Sequence, residues 1–294
     1  MRDAKISSIE YIETICGYLA NEKEENLIIN NLNYITTAIT YFSPRKLYDH
    51  FSSKLFELTS KLIKNFAIDK QNYLSLIQIL ISFASIPCHI KLLQRWLTEN
   101  PFVKVEEEHF ELSADMISQD HRFSILYRVF QLRDLDIEVK NGLLEAEKQK
   151  DKNTDKSIKA EITCKACLPS RENKEEVWNK LVNMPKSDSL HNKRALMMGF
   201  APVNQFDLVE DFLTEKFFDS LSLIGKNDYF YIDYFLMFCA PTMCVDQKII
   251  EKFEKVISEM DSSLDYIKKK MIEMIDEMKR YQRAQAFTEL KTSK

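Results

Sequence analysis

Glycine is almost missing from this chain: there are four in 294 residues, at 17, 142, 199 and 225, each isolated. Phosphate-cradling loops and the turns of β-sandwiches depend on glycine's access to left-handed backbone. A phosphate-binding loop and a GxSxG nucleophile elbow are excluded on that ground. The seven prolines are also few for this length. Helices joined by short connections are the architecture that such scarcity favours.

Other absences narrow the choice further. The five histidines stand at 50, 89, 109, 121 and 191, and no two are four apart. The HExxH pattern, which puts two zinc ligands on one helix face, is therefore missing. No apolar run reaches the length of a membrane-crossing helix; the longest, from Tyr73 to Ile86, is interrupted by Gln78 and Ser82. The opening MRDAKISSIEYIETI is charged and amphipathic, unlike a secretory leader. Basic and acidic residues are interspersed, 41 against 45 for a net charge of -4, so neither nucleic acid nor a membrane is expected as a partner. The six cysteines (16, 88, 164, 167, 239 and 244) are scattered, which fits reduced, mostly buried thiols in a cytoplasmic protein.

What remains is helical periodicity. With 45% hydrophobic and 29% charged residues, the chain can bury a sizeable core. Apolar residues recur at three- and four-residue spacing over about fourteen segments. The first is Ser7 to Leu19, with Ile9, Ile12, Ile15, Cys16 and Leu19 on one face and Ser7 or Ser8 as cap. The second carries Leu27, Ile28, Leu32, Ile35, Ile39 and Phe42. Pro44 and Asp69 open the third and fourth, and Pro87 separates the fourth from the fifth. Later helices are expected from Asp120, Asp136, Lys156, Arg171, Ser189, Asn204, Asp228, Asp246 and Ser262, with breaks at Pro169, Pro185 and Pro202. The pair-to-pair period of roughly 35 to 45 residues lies in the range of helical solenoids. The expectation is an all-α stack of antiparallel helix pairs, HEAT- or armadillo-like, as one helical-repeat domain over 1–294. Residues 1–100 would hold the first pairs, 101–117 an acidic connecting loop, and 118–294 the later pairs and a long terminal helix.

Candidate chemistry is sparse. Glu106, Glu107 and Glu108 beside His109 could be read as a metal site, but adjacent side chains diverge, and a solvated loop is the simpler reading. Cys164 and Cys167 form a CxxC near the end of a helix, with no second pair for zinc and no preceding strand for a redox role, so packing is expected. Cys239 and Cys244, flanking Pro241, read the same way. Met260, Met271, Met274 and Met278 fall at core spacing. The basic runs at 268–270 and 279–283 are balanced by Glu273, Asp276 and Glu277 and read as a solvated face. The tip EKQKDKNTDK around Glu147 is expected to be exposed. No catalytic or metal-ligating residue is assigned, and substrate-binding residues stay unknown.

Several stretches resemble the C-terminal helical domain of aminopeptidase N-type zinc metallopeptidases, the gluzincin aminopeptidases. AEITCKACLPSRENKEEVWNKLV resembles their A-x-A-x-P-x-x-x-x-K-x-x-x-W segment through Ala166, Pro169, Lys174 and Trp178. RALMMGFAPVNQFDLVEDFLTEKFFDSL is similar to the following GF-x-x-x-x-Q-x-x-L helix through Gly199, Phe200, Gln205, Leu208 and Phe217-Phe218. The end of the chain matches an RAQA-like terminus through Arg283, Ala284, Gln285 and Ala286. HRFSILYRVF resembles the family's LRW-x-x-L helix with Phe123 in place of tryptophan, and RDAKIS its RD-x-x-L-S opening. An acidic loop, FVKVEEEHFELSAD, replaces the usual sequence before the LRW-like helix.

The resemblance implies a bowl of helices that caps a thermolysin-like catalytic domain, encloses its peptide chamber and supplies no zinc ligand. The HExxH and GxMEN motifs of that catalytic domain are not found in these residues. This chain alone is then not an enzyme and binds no cofactor of its own. Its partners would be a catalytic domain, on the same or a separate chain, and through it a peptide substrate. Met1 would be an internal methionine at a truncated start, leaving an exposed apolar edge near Ile6 to Leu19. A free-standing helical-repeat adaptor, binding a peptide or protein on its concave face, is the alternative.

Overall fold

Four helix starts in this chain are written locally, in short polar side chains that accept from the first free amides. In the computed structural model, Ser7 accepts from Glu10 N, Asp136 from Glu138 N, Asp228 from Tyr231 N and Asp246 from Lys248 N. Such caps satisfy donors that have no intrahelical partner. The structure describes residues 5–66, 70–106, 108–183 and 188–292. Met1, Arg2, Asp3, Asp69, Glu107 and Pro185, which figure in the sequence reading, lie outside them. The fold is all-α, with one two-stranded ribbon among the described residues. It divides into two compact units, one running to Val129 and resuming at Arg280, the other spanning Phe130–Lys279.

The first unit contains α1 (Ser8–Leu19), α2 (Glu25–Thr37), α3 (Tyr48–Phe66), α4 (Lys70–Phe83), α5 (Pro87–Arg95) and α6 (Gln119–Phe130), with β1 (Phe102–Val105) and β2 (Glu108–Glu111) between the last two. Pro87 does not merely end α4: it occupies the first turn of α5, where its missing amide costs nothing. In α2 the row Ile28, Leu32 and Ile35 is buried, while Leu27 faces out. A π-helical turn over Ala38–Phe42 then takes up the residues expected to continue that helix.

The apolar edge expected at Ile6 to Leu19 is covered. Ile12, Cys16 and Leu19 are buried, with α1 against α2 and the π turn. Ser8 binds Thr288 twice, its amide donating at 3.0 Å and the two hydroxyls lying 3.2 Å apart. Gln285 donates to the Tyr41 carbonyl at 2.9 Å, and the Tyr281 ring stacks on Tyr41.

Residues 101–117 correct the expectation of a solvated acidic loop. Phe102 pairs with Glu111, Val103 with Phe110, Lys104 with His109 and Val105 with Glu108, in an antiparallel hairpin. Two forces hold it: Phe102 and Val103 are buried, β1 lying against α3, and the acidic side chains find lysines on α3. Lys61 pairs with Glu106 at 3.2 Å, and Lys64 pairs with Glu108. Glu106 takes the turn with φ of 59°, a left-handed conformation that a non-glycine residue adopts at a cost.

The second unit is built from α7 (Ile137–Lys150), α8 (Asp155–Ala166), α9 (Arg171–Asn183), α10 (Leu190–Phe200), α11 (Phe206–Asp211), α12 (Phe217–Ile224), α13 (Tyr229–Cys239), α14 (Gln247–Glu259) and most of α15 (Asp265–Thr292). Its packing is layered: α8 lies on α10 and α10 on α13, while α9 packs with α11 and α12. Alternate helices meeting in one layer are the pattern of stacked pairs. The expected helix from Asn204 to Leu223 is interrupted by a π turn over Phe212–Lys216. The apolar core gathers Trp178, Phe200, Phe212, Phe217, Phe235 and Phe253 with Met271 and Met278. In α7 the buried row is Lys140, Leu144 and Glu147, so the charged tip is not wholly exposed as expected. Glu147 is buried while it pairs with Lys150 at 2.6 Å.

Candidate functional site

Four of the residues that carried the family resemblance, Ala166, Lys174, Gly199 and Gln205, meet at one place, the C-terminal end of α8. A helix end leaves carbonyls without intrahelical partners, and here side chains from two later segments supply donors. Lys174, on α9, is fully buried and donates from Nζ to the Ala166 carbonyl at 3.0 Å. Asn173 Nδ2 donates to Ala166 at 3.2 Å and to Leu168 at 3.4 Å. Gln205, in the turn before α11, donates to the Cys167 carbonyl at 2.8 Å. Burial lowers the Lys174 ammonium to about 8, against a smaller opposing pull from the Cys167 thiol. Lys140 is lowered by burial as well, and its Nζ donates to the Phe130 carbonyl at 3.1 Å and also to that of Leu132.

The same helix end meets α10 at Gly199. A Cβ there would lie 2.3 Å from the Thr163 carbonyl oxygen and 2.6 Å from the Ala166 Cβ, so only glycine permits this approach. Thr163 adds a link by donating to the Ala195 carbonyl at 3.0 Å. Trp178 lies next to the junction, its ring 5.4 Å from Phe200, 5.6 Å from Phe212 and 5.8 Å from Phe235. Arg171 closes the far side. Both its terminal nitrogens reach Asp211 at 2.5 Å, and its guanidinium stands 4.3 Å from the Phe212 ring centre. The hydrogen bonds to Arg171 hold the Asp211 carboxyl below the usual range. The Arg171–Asp211 pair carries no local signal in the sequence, because its members are charged residues 40 apart, at the start of α9 and the end of α11.

Nothing at this junction is set up to react. Cys164 and Cys167 are buried; the Cys167 thiol donates to the Cys164 carbonyl at 3.2 Å, and burial pushes the Cys164 thiol well up. A thiol held in that form is a poor nucleophile. Cys239 and Cys244 are likewise buried, whereas Cys88 is exposed. His109 sits in the ribbon with its ring 5.1 Å from that of Phe102, and the glutamates beside it point to lysines. Among the described residues no three of histidine, cysteine, aspartate and glutamate come together as a metal site. No described helix is long and apolar enough to cross a membrane.

Two surfaces stand out. On the α10–α13 layer, Phe230 and Met237 of α13 are 68% and 65% exposed, Met198 of α10 is exposed, and the Arg194 guanidinium lies 5.4 Å from the Tyr234 ring. In the first unit a cleft of about 390 Å³ opens between α3, α5 and the ribbon, with the His89 ring stacked 4.0 Å from that of Phe56. In the sequence His89 has no partner histidine four residues away and no other signal, and its stacking depends on Phe56 of α3, 33 residues upstream.

A family model described as the ERAP1-like C-terminal domain matches residues 1–280 of the chain. No curated protein matches the chain.

Proposed function

Because the chain belongs to the ERAP1-like C-terminal domain family, we propose that it works as the non-catalytic helical wall of a zinc aminopeptidase. In this reading it encloses the chamber in which peptides are held while a thermolysin-like catalytic domain removes their N-terminal residues. The observation that carries the proposal is the convergence of the family-like residues Ala166, Lys174, Gly199 and Gln205 on one fixed helix junction. A chamber wall must hold its shape when a peptide presses on it, and a junction capped by buried donors and closed by a glycine contact does so. The exposed Phe230 and Met237, with the half-buried Tyr234 beneath the Arg194 guanidinium, fit a peptide-facing surface, apolar with one cation. Binding a peptide's distal part at such a wall adds affinity and positions the reacting end without taking part in bond cleavage.

The test is a reconstitution. The purified chain is assayed alone on aminoacyl fluorogenic substrates, then together with a catalytic polypeptide carrying HExxH. The expected result is no hydrolysis alone, and with the catalytic polypeptide a changed ratio of long- to short-peptide turnover that F230D/M237D reverses. Zinc-dependent hydrolysis by the chain alone overturns the proposal, as does a ratio indifferent to its presence. Capture of unrelated proteins, with no affinity for the catalytic polypeptide, identifies the adaptor instead.

A further inference from the structure

The cleft of the first unit has a chemistry of its own. Its wall is apolar and flat: Phe56 and His89 stack with their planes 8° apart, and Leu92 lies beside them. Burial lowers the pKa of His89, favouring the neutral ring, and its Nδ1 is buried with no hydrogen-bond partner. A neutral imidazole stacked on phenylalanine presents an aromatic surface suited to another ring or a large apolar group. The charged lining divides into two kinds. Lys61 and Glu106 neutralise each other at 3.2 Å. Glu57, on α3, and Lys104, on β1, line the same cleft, and neither has an ion-pair partner among the described residues.

One unpaired anion and one unpaired cation on separate elements, above an aromatic wall, match a ligand that carries both charges and an apolar group. The volume of about 390 Å³ falls within the range of small-molecule sites. We propose that this cleft binds a free α-amino acid with an aromatic or large apolar side chain. The side chain lies against Phe56 and His89, the α-ammonium meets Glu57, and the α-carboxylate meets Lys104. The site is separate from the chamber role, since every residue it uses lies between 56 and 106 in the first unit.

The experiment is a titration of the full chain with L-phenylalanine, followed by heteronuclear NMR at the His89 imidazole and the backbone of β1. Three analogues accompany it: N-acetyl-L-phenylalanine, L-phenylalanine amide and the dipeptide Phe-Leu. The expected result is saturable binding of L-phenylalanine that perturbs His89, with each blocked analogue and the dipeptide weaker by about tenfold or more. Glu57→Gln should weaken the free amino acid by a similar factor and leave the N-acetyl form unchanged; Lys104→Gln should do the same relative to the amide. Glu57 and Lys104 are exposed, so both variants are expected to fold, and their unperturbed spectra without ligand establish that. Absence of saturable binding overturns the proposal. So does binding of N-acetyl-L-phenylalanine as tight as the free amino acid, tighter binding of the dipeptide, or perturbations confined to other residues.

Discussion

Gly199 and Thr163 approach so closely that a methyl group on residue 199 would sit 2.3 Å from the Thr163 carbonyl oxygen. That carbonyl is backbone in the last turns of α8, so it cannot swing aside as a flexible side chain could. In an exposed helix, Gly199→Ala would add about 1 kcal/mol of helix propensity. Here the overpacking cost, about 1–3 kcal/mol, opposes and exceeds it. The variant is expected to unfold at lower urea with an unchanged slope; a midpoint at or above that of the parent chain would show that α8 and α10 can separate freely.

Lys174 gives a pH dependence with a definite sign. Its ammonium is lowered from 10.5 to about 8 in the fold. Below about pH 8 both folded and unfolded chains hold the proton, and the burial penalty is constant. Between about 8 and 10.5 the unfolded chain holds it while the folded chain releases it, so stability gains with rising pH. The gain amounts to about 3 kcal/mol at most. Lys140, lowered in the same direction, contributes with the same sign. Lys174→Met should remove most of this gain, read as urea midpoints at pH 7.5 and 10 for parent and variant. Equal pH slopes in the two chains would contradict it.

Gln205 is buried and donates to the Cys167 carbonyl, a group that α8 leaves unpaired. Gln205→Leu keeps much of the bulk and removes the donor, leaving a buried acceptor unmet at a cost of about 1–3 kcal/mol. Calorimetry should show the loss in the melting of the parent chain against the variant, and Gln205→Glu, which also lacks the amide donor, should not restore it.

Thiol accessibility should separate the cysteines. Cys88 is exposed in the first turn of α5, while Cys16, Cys164, Cys167, Cys239 and Cys244 are buried, and burial pushes Cys16 up to about 11. A thiol-disulfide reagent at neutral pH should modify one thiol rapidly and the others only on unfolding. Cys88→Ser should abolish the fast phase; a second fast thiol in the native chain would place one of the buried cysteines within reach of solvent.

Much of the helical layout could be read before folding, because its signals are local. Asp136, Asp228 and Asp246 cap helices within three residues of themselves, and Pro87 stands in a first turn whose amide is not needed. The burial of Ile28, Leu32 and Ile35 follows from a 3.6-residue period and nothing else. The ribbon at 102–111 was missed because two four-residue strands have too little periodicity to outweigh a run of glutamates. Their stability comes from lysines and apolar groups on α3, some 40 residues away.

By itself, then, the sequence determined which segments are helical, where several of them start, which family the chain resembles, and that it carries no HExxH or phosphate loop. Tertiary structure alone decided what Gly199, Lys174 and Gln205 are for. Each looks unremarkable in its own helix or turn, and each acquires a role only when α8 ends beside it. Contacts between residues 8 to 38 positions apart are chosen by packing, with burial and hydrogen-bond satisfaction as the forces, and no window along the chain contains them.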